Sequence, residues 1–260
     1  RVISILNAMQ MRIIVADDLE HTFSGNINRS PIETAVKQCD MIISLGGDGT
    51  ILRLATLAAK ADKPILGINT GNVGFLAELE KNEISFITEV IEGNYSVDVR
   101  SMLSVFVRRR DKELFIGTAL NDAVIRSRGE VRTVTLDLWS NGYFFSSIKG
   151  DGIIIATPTG STAYSLSAGG PIVDPSSDIV VVTPICAHSL GVKSFVLPAE
   201  NVVVVDNRSA ESVFLSVDGV TGFQLQAEDL VVTRKSELFC KLIRLKNHSF
   251  YDIIKDKLTY

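Results

Sequence analysis

The sequence predicts an α/β domain with a parallel sheet over residues 1–98, followed by a β-rich domain over residues 99–245. Short β-branched runs alternate with helix-like segments as far as about Val97. Beyond Val97, strand patterns follow one another with little helix between them. Alternating strands and helices build parallel sheets, whereas strands joined by turns build antiparallel ones. A length of 260 residues accommodates one large domain or two modest ones.

The elements follow in order. Val2–Gln10 has the apolar spacing of a short helix, and Met11–Ala16 reads as a strand. Asp17–Ser30 is polar and reads as a loop, and Pro31 opens a helix to Lys37. Met41–Leu45 is a buried strand, Thr50–Ala61 an amphipathic helix, and Pro64–Asn69 a further strand. Ile84–Ile91 is a helix closed by Gly93. The second half reads as strands over Ser104–Arg108, Leu114–Ile125, Val131–Ser147, Gly152–Thr157, Ile179–Pro184, Asn201–Asp206, Val213–Val217, Asp229–Arg234 and Leu238–Leu245. Asn141-Gly142 marks a hairpin within the third of these. Tyr251–Leu258 reads as a final helix.

Hydrophobic residues make up 46% of the chain and charged residues 22%, which provides a core and excludes global disorder. With 26 basic against 30 acidic residues the net charge is −4, against broad binding of nucleic acid or anionic membrane. Mean hydropathy is high at +0.25. Yet no apolar run reaches the roughly 18 residues of a membrane span, and the richest, Ile179–Cys186, is broken by Pro184. Three separated cysteines without a CxxC pair argue against a zinc cage or disulfide framework and fit a reduced, cytoplasmic compartment. The chain shows no signal-peptide pattern and begins with Arg1 rather than Met, so a missing start is one expectation.

The first chemical signal is Leu45-Gly-Gly-Asp-Gly-Thr50, between a strand and a helix. Ligands of open parallel sheets sit at the carboxyl ends of strands, where glycines let backbone N–H groups approach phosphate. Asp48 would repel phosphate unless Mg²⁺ or the proton of an attacking hydroxyl intervenes, and either makes it a phosphoryl-transfer residue. The plainer reading is that Asp48 caps the helix. Arg53 lies one turn further on, where it can neutralise a phosphate. Asn69–Gly74 forms a second glycine turn at the same sheet edge. Neither GxxxxGK[ST] nor GxGxxG occurs, which excludes a P-loop and the ordinary dinucleotide-oxidoreductase loop.

In the second domain, Asn121-Asp122 interrupts an apolar segment. Adjacent strand residues point to opposite faces, so one must be satisfied inside or reach a cleft. An amide and a carboxylate together can hold the hydroxyls of a ribose; a bulge explains the pair more plainly. Arg126, Arg128 and Arg132 follow, either attracting phosphate or forming a solvated face. The longest signal is Lys149–Pro171, KGDGIIIATPTGSTAYSLSAGGP. Asp151 stands between two glycines, and Thr157, Thr159, Ser161, Thr162, Ser165 and Ser167 supply six hydroxyls beside Tyr164. Such a density of donors suits a nucleotide, and a capping box explains only one of them. Val217-Asp218-Gly219 reads as a hairpin turn. His188 reads as a packed or surface residue, and His21 and His248 are isolated. No GxSxG, HExxH or Cys–His pair supports acyl transfer or zinc hydrolysis.

Together these residues resemble the NAD kinases from about Met41 to Leu258: the GGDG motif at Gly46–Gly49, an Asn-Glu motif at Asn121-Asp122, and the glycine-aspartate-glycine and TPTGSTAY block at Gly150–Pro171. Asp122 stands where Glu is more frequent, and the family's opening strand before the first helix is not present. The resemblance implies an NAD kinase-like fold, with a sandwich-like second domain and residues 246–260 returning to the first. It implies transfer of a phosphoryl group, from ATP or polyphosphate with Mg²⁺ or another divalent cation, to the 2′-hydroxyl of the adenosine ribose of NAD. Asp48 is then the general base and Gly49 lies beside the ligand. Asn121 and Asp122 contact the ribose and nicotinamide side. Thr162, Ala163, Tyr164 and Ser167 line the adenine region, with Ser165 and Leu166 between them. Arg53, Arg132, Lys149 and Thr159 lie near the ligand. Asp151 reaches the NAD of a neighbouring subunit in a homodimer or homotetramer. A lipid or sugar kinase shares the GGDG loop but not the TPTGSTAY block, and a non-catalytic dinucleotide sensor is the third reading.

Overall fold

The computed structural model describes residues 1–17, 27–71, 74–127, 133–189, 191–209, 213–220, 222–226, 228–245 and 249–258. The chain divides into two compact units, one of residues 1–99 with 240–260 and one of residues 100–239. It passes between them within the strands Ser96–Arg109 and Leu230–Arg244.

The first unit is α/β with parallel strands. Ile65–Asn69 is buried along its whole length. It pairs in parallel with Ile42–Leu45 (Ile42 opposite Ile65, Leu45 opposite Ile68) and with Leu79–Glu80. Leu242 aligns in parallel with Ile65. Such a strand must be apolar on both faces, as ILGI is. Leu66, Ile68, Leu79, Ile87, Val90 and Ile243 form the core, and Val2, Ile5 and Leu6 of the Val2–Ala8 helix pack against it. The Asp48–Lys60 helix buries Ile51, Ala55, Ala58 and Ala59, a stripe at helical spacing. The predicted loop Asp17–Ser30 ends in a strand, Asn28–Ser30, parallel to Ile14–Ala16. Its polar sequence carries no strand signal, and the pairing alone makes it one. His21 lies outside the described residues.

The second unit is β-rich. Six antiparallel strands run in the order Phe195–Pro198, Ile179–Ile185, Gly152–Ala156, Asp122–Ser127, Val213–Val217, Phe223–Leu225. A second layer contains Tyr143–Gly150, Val134–Ser140 and Val203–Asn207 in mutual antiparallel register. Side chains alternate across a strand. Accordingly Ile153 and Ile155 face Leu136, Leu138, Val203 and Val205 in one core. Ile154 and Ala156 pack with Val124, Val181, Ala168 and Val173 on the other face. Gly152–Ala156 is therefore buried on both sides, which its unbroken apolar run anticipates.

Two strand readings change. Leu114–Ile125 is two strands, Lys112–Ala119 and Asp122–Ser127. At the break, the Asp218 carboxylate accepts the N–H groups of Leu120 (2.7 Å), Asn121 (2.8 Å) and Asp122 (3.0 Å), which takes them out of any ladder. Conversely, Asp229–Arg234 and Leu238–Leu245 are one strand, Leu230–Arg244. Its polar middle is bridged at Lys235, whose ammonium meets Asp178 and Glu200. Asp218 and Gly219 have φ of +48° and +71°, as the predicted hairpin turn requires. The same aspartate thus makes the turn and caps a break in a neighbouring strand.

Leu120 is fully buried, so its amide has little recourse to water. Asp218→Ala is expected to lower stability by about 3 kcal/mol or more, the cost of leaving buried amides unpaired. Asp218→Asn, which keeps one acceptor oxygen, should lose less. Urea unfolding of both variants measures the difference.

Candidate active site

Asp48 opens its helix, two residues earlier than the apolar pattern suggests, with Gly47 at the N-cap. Its side chain makes no capping bond to that helix. Instead its carboxylate crosses to the second glycine turn, accepting the N–H of Phe75 at 2.7 Å and of Leu76 at 3.1 Å. The two glycine loops are thereby joined through one side chain. Gly74 makes room for it, because a Cβ there would stand 1.9 Å from Asp48 Oδ1. Buried Asn69 shapes the turn from the other side: it accepts the Gly71 N–H at 3.1 Å and donates to Glu80 at 3.0 Å. The Leu76 carbonyl accepts from Arg244 Nη1 at 3.1 Å, and that guanidinium also binds Glu78 and Asp98. Asn72 and Val73 lie outside the described residues. Gly49 is exposed with open space where a side chain would begin, and Arg53 is exposed on the same helix.

In the second unit, Asn121 is half-buried, and its side-chain amide has no hydrogen-bond partner among the described residues. Asp122 is buried, 5% exposed, so it is the member of the pair that points inside. Burial, together with the neighbouring charge of Asp218, pushes its carboxyl up to about 7. Burial pushes Asp218 up as well, but its three amide donors oppose the shift. Asp218 is therefore the member that keeps its charge and Asp122 the one that takes the proton.

The hydroxyl-rich block divides. Thr157 Oγ1 donates to the Leu120 carbonyl (2.6 Å) and accepts from Gly160 (3.0 Å). Thr159 Oγ1 accepts from buried Arg100 (3.2 Å). Ser161 exchanges two bonds with the Val173 backbone, Thr162 donates to the Thr159 carbonyl, and Ser165 meets Thr183 at 2.8 Å. Five of the six hydroxyls thus bond within the protein and brace the loop. The predicted helix start is a 3₁₀ turn, Thr159–Thr162, and a single helical turn, Tyr164–Ser167. Tyr164 and Ser167 are exposed, Thr162, Ala163 and Leu166 half-buried, and Ser165 buried.

Asp151 stands apart from these. Ala156 aligns with Asp122 and Gly152 with Arg126, so Asp151 is at the opposite end of the paired strands. Five strand residues put it roughly 16 Å from the Asp122 end. Its flanking glycines are spacers: a Cβ on Gly152 would lie 2.3 Å from the Ile125 carbonyl oxygen. The exposed Cys186 thiol lies beside the Asp151 carboxylate, which raises the thiol's pKa. Lys149 is exposed at the same end. Arg128, Arg132 and His248 lie outside the described residues.

Residues 3–95 match the ATP-NAD kinase N-terminal domain and residues 120–245 the ATP-NAD kinase C-terminal domain. The chain belongs to the ATP-NAD kinase family. An NAD kinase of Acetivibrio thermocellus is 39% identical over 249 residues, covering 94% of this chain and 86% of that protein. One of Aquifex aeolicus is 38% identical over 253 residues, covering 95% and 91%. Among solved structures, yeast NADH kinase in complex with NADH superposes with a TM-score of 0.88 at 27% identity, covering 100% of this chain and 82% of that one. An Archaeoglobus fulgidus NAD kinase in complex with ATP gives 0.73 at 27% identity, covering 92% and 94%.

Within this ATP-NAD kinase framework, sequence reasoning missed Asp218 as an organiser of the Asn121-Asp122 break. It also missed Arg100 behind Thr159, and Arg244 behind the Phe75–Leu76 peptide. All three act across long sequence separations and leave no local pattern. Among the described residues no three His, Cys, Asp or Glu side chains converge as a metal site. No helix among the described residues is long and apolar enough to cross a membrane.

Gly74→Ala is expected to push the Asp48 carboxylate off its amides and cut turnover at least roughly tenfold, as misplacements of about an ångström do. Gly71→Ala, with open space at its Cβ, should leave turnover unchanged. Steady-state rates of the two variants test this. Asp122 gives a pH signature. Its folded carboxyl binds a proton more tightly than the ordinary 3.8 of the unfolded chain. It therefore favours the fold at low pH and costs stability, on the order of a few kcal/mol, as pH rises through about 7. Asp122→Asn should melt above the wild type at pH 8, and the advantage should vanish by about pH 4.

Proposed function

We infer that this chain transfers the terminal phosphoryl group of ATP to the 2′-hydroxyl of the adenosine ribose of NAD, giving NADP. The observation that carries this is the Asp48 cradle at the strand end of an ATP-NAD kinase chain: a carboxylate oriented by two backbone amides between two glycine loops. The family match and the relatives favour a dinucleotide kinase over a lipid or sugar kinase, and the ATP bound in the Archaeoglobus fulgidus structure supports ATP as donor. The catalytic carboxylate weighs against a non-catalytic sensor.

In this reading Asp48 is the general base. Two amides leave lone pairs on its oxygens, so it can still accept the hydroxyl proton. The O2′ atom bonds to the terminal phosphorus as the bond to the leaving oxygen of ADP breaks, and the proton passes to Asp48. Asn121, whose amide is unclaimed, holds a substrate hydroxyl or amide. Asp122 shapes the same corner from inside. Tyr164, Ser167, Thr162, Ala163 and Leu166 offer the exposed and half-buried face for the adenine, while Thr159 and Ser165 support it. Gly49 and Arg53, on the helix that Asp48 opens, attend the donor phosphates, and Lys149, exposed at the Asp151 end, goes with Asp151 toward the neighbouring subunit's substrate. A Mg²⁺ ion carried by the triphosphate would neutralise charge on the donor phosphates. The distance of Asp151 from Asn121-Asp122 along the sheet supports its serving a neighbouring subunit's substrate in a homodimer or homotetramer. Three free cysteines support a cytoplasmic enzyme.

Incubation with NAD, ATP and Mg²⁺ should yield NADP. Asp48→Asn should lower kcat by about 10²-fold or more, the typical contribution of a positioned base. Full activity in that variant would remove Asp48 from the chemistry.

A further inference from the structure

The Asp48 loop has no P-loop lysine, and nothing in the GGDG segment supplies an ammonium to phosphate. The last helix, Phe250–Leu258, does. Lys257 Nζ lies 4.5 Å from the centroid of the Phe75 ring, and Phe75 is the residue whose N–H holds Asp48 Oδ2. Lys257 is half-buried. Asp48 and Glu80 are the carboxylates whose fields reach it. Neither is an ion-pair partner, and among the described residues no carboxylate lies within salt-bridge distance of Lys257. Glu80 is bonded to Asn69 and Asp48 to the amides. Arg53 is exposed one turn into the Asp48 helix, and Arg244 is taken up by Glu78, Asp98 and the Leu76 carbonyl.

We propose that Lys257 is the phosphate-binding cation of the Asp48 loop, its ammonium holding an oxygen of the phosphoryl donor while Asp48 faces the acceptor hydroxyl. This rests on the phosphotransferase reading of the same loop. A lysine half removed from water and lacking a direct counter-ion gains most from an incoming anion. The aromatic face of Phe75 steadies the ammonium without neutralising it. Burial depresses the Lys257 pKa, and Arg244 adds to that, whereas Asp48 and Glu80 raise it. A donor phosphate would act in the same sense as the two carboxylates, so donor binding keeps the charge in place.

The test uses the full chain and the variants Lys257→Met, which keeps the stem without the charge, and Lys257→Arg. Initial rates are measured with ATP varied at saturating NAD, and with NAD varied at saturating ATP. Lys257→Met is expected to lose roughly 10- to 100-fold in kcat/KM for ATP, the worth of a charged hydrogen bond, with KM for NAD changed less than about twofold. Lys257→Arg should recover most of the loss. Wild-type kcat/KM for ATP in Lys257→Met overturns the proposal. So does a parallel rise of both KM values with a lowered Tm, which marks a role in folding alone. A wild-type chain that makes no NADP defeats the kinase reading itself. Lys257 is then judged by calorimetric ATP binding, where equal affinity in wild type and Lys257→Met overturns the proposal.

Discussion

Where a strand stops and the chain turns, backbone N–H groups lose their ladder partners, and buried ones must find another acceptor. In each unit of this molecule an aspartate supplies it at one such break. Asp48 takes the amides of Phe75 and Leu76, and Asp218 those of Leu120, Asn121 and Asp122. Each carboxylate fixes a peptide remote in sequence, and each fixed peptide carries or adjoins a candidate site residue. The glycine at position 74 and the left-handed turn at 218–219 follow from the same need, since the carboxylates reach their amides only where side chains or ordinary turn geometry do not intervene.

Charge is arranged around these two devices in opposite ways. Around Asp48 the surplus is of partners: Arg244 ties the Leu76 carbonyl to Glu78 and Asp98, while Glu80 holds Asn69. The carboxylate is thus held by amides whose own segment is anchored from behind. Around Asp218 two carboxyls share one buried corner, and only one of them has amide donors. Ionising both in a poorly solvated place is costly, so the unassisted Asp122 carries the proton up to about pH 7. A Glu there, one methylene longer, would carry its carboxyl further from the backbone; the shorter Asp keeps it in the corner with Asp218.

Elements that declare themselves in a local pattern were legible in the sequence. The buried runs of Ile42–Leu45, Ile65–Asn69 and Gly152–Ala156, the glycine-bounded Asp48 loop and the Asn141-Gly142 hairpin are of this kind. What was not legible depends on residues far apart in the chain. The break at Leu120-Asn121 is made by an aspartate some hundred positions away, and the polar stretch inside Leu230–Arg244 is bridged by Asp178 and Glu200. Asn28–Ser30 is a strand only because Ile14–Ala16 pairs with it. Asp48 itself looks like an ordinary cap until Phe75 and Leu76 are placed beside it.

The hydroxyl-rich block has a structural use that its composition alone does not announce. Its density of Ser and Thr singles out the segment, yet most of those hydroxyls bond to the loop's own backbone, to Thr183 or to Arg100. A tight 3₁₀ turn that leaves a fully buried strand has several amides and carbonyls without ladder partners, and short hydroxyl side chains are the smallest groups that satisfy them. The internal bonds make the loop rigid. A rigid loop can then present Tyr164, Ser167 and the half-buried Thr162 and Ala163 in one arrangement without a further entropic cost when a ligand arrives. The hydroxyls thus hold the loop's surface still, whichever of its residues meet a ligand.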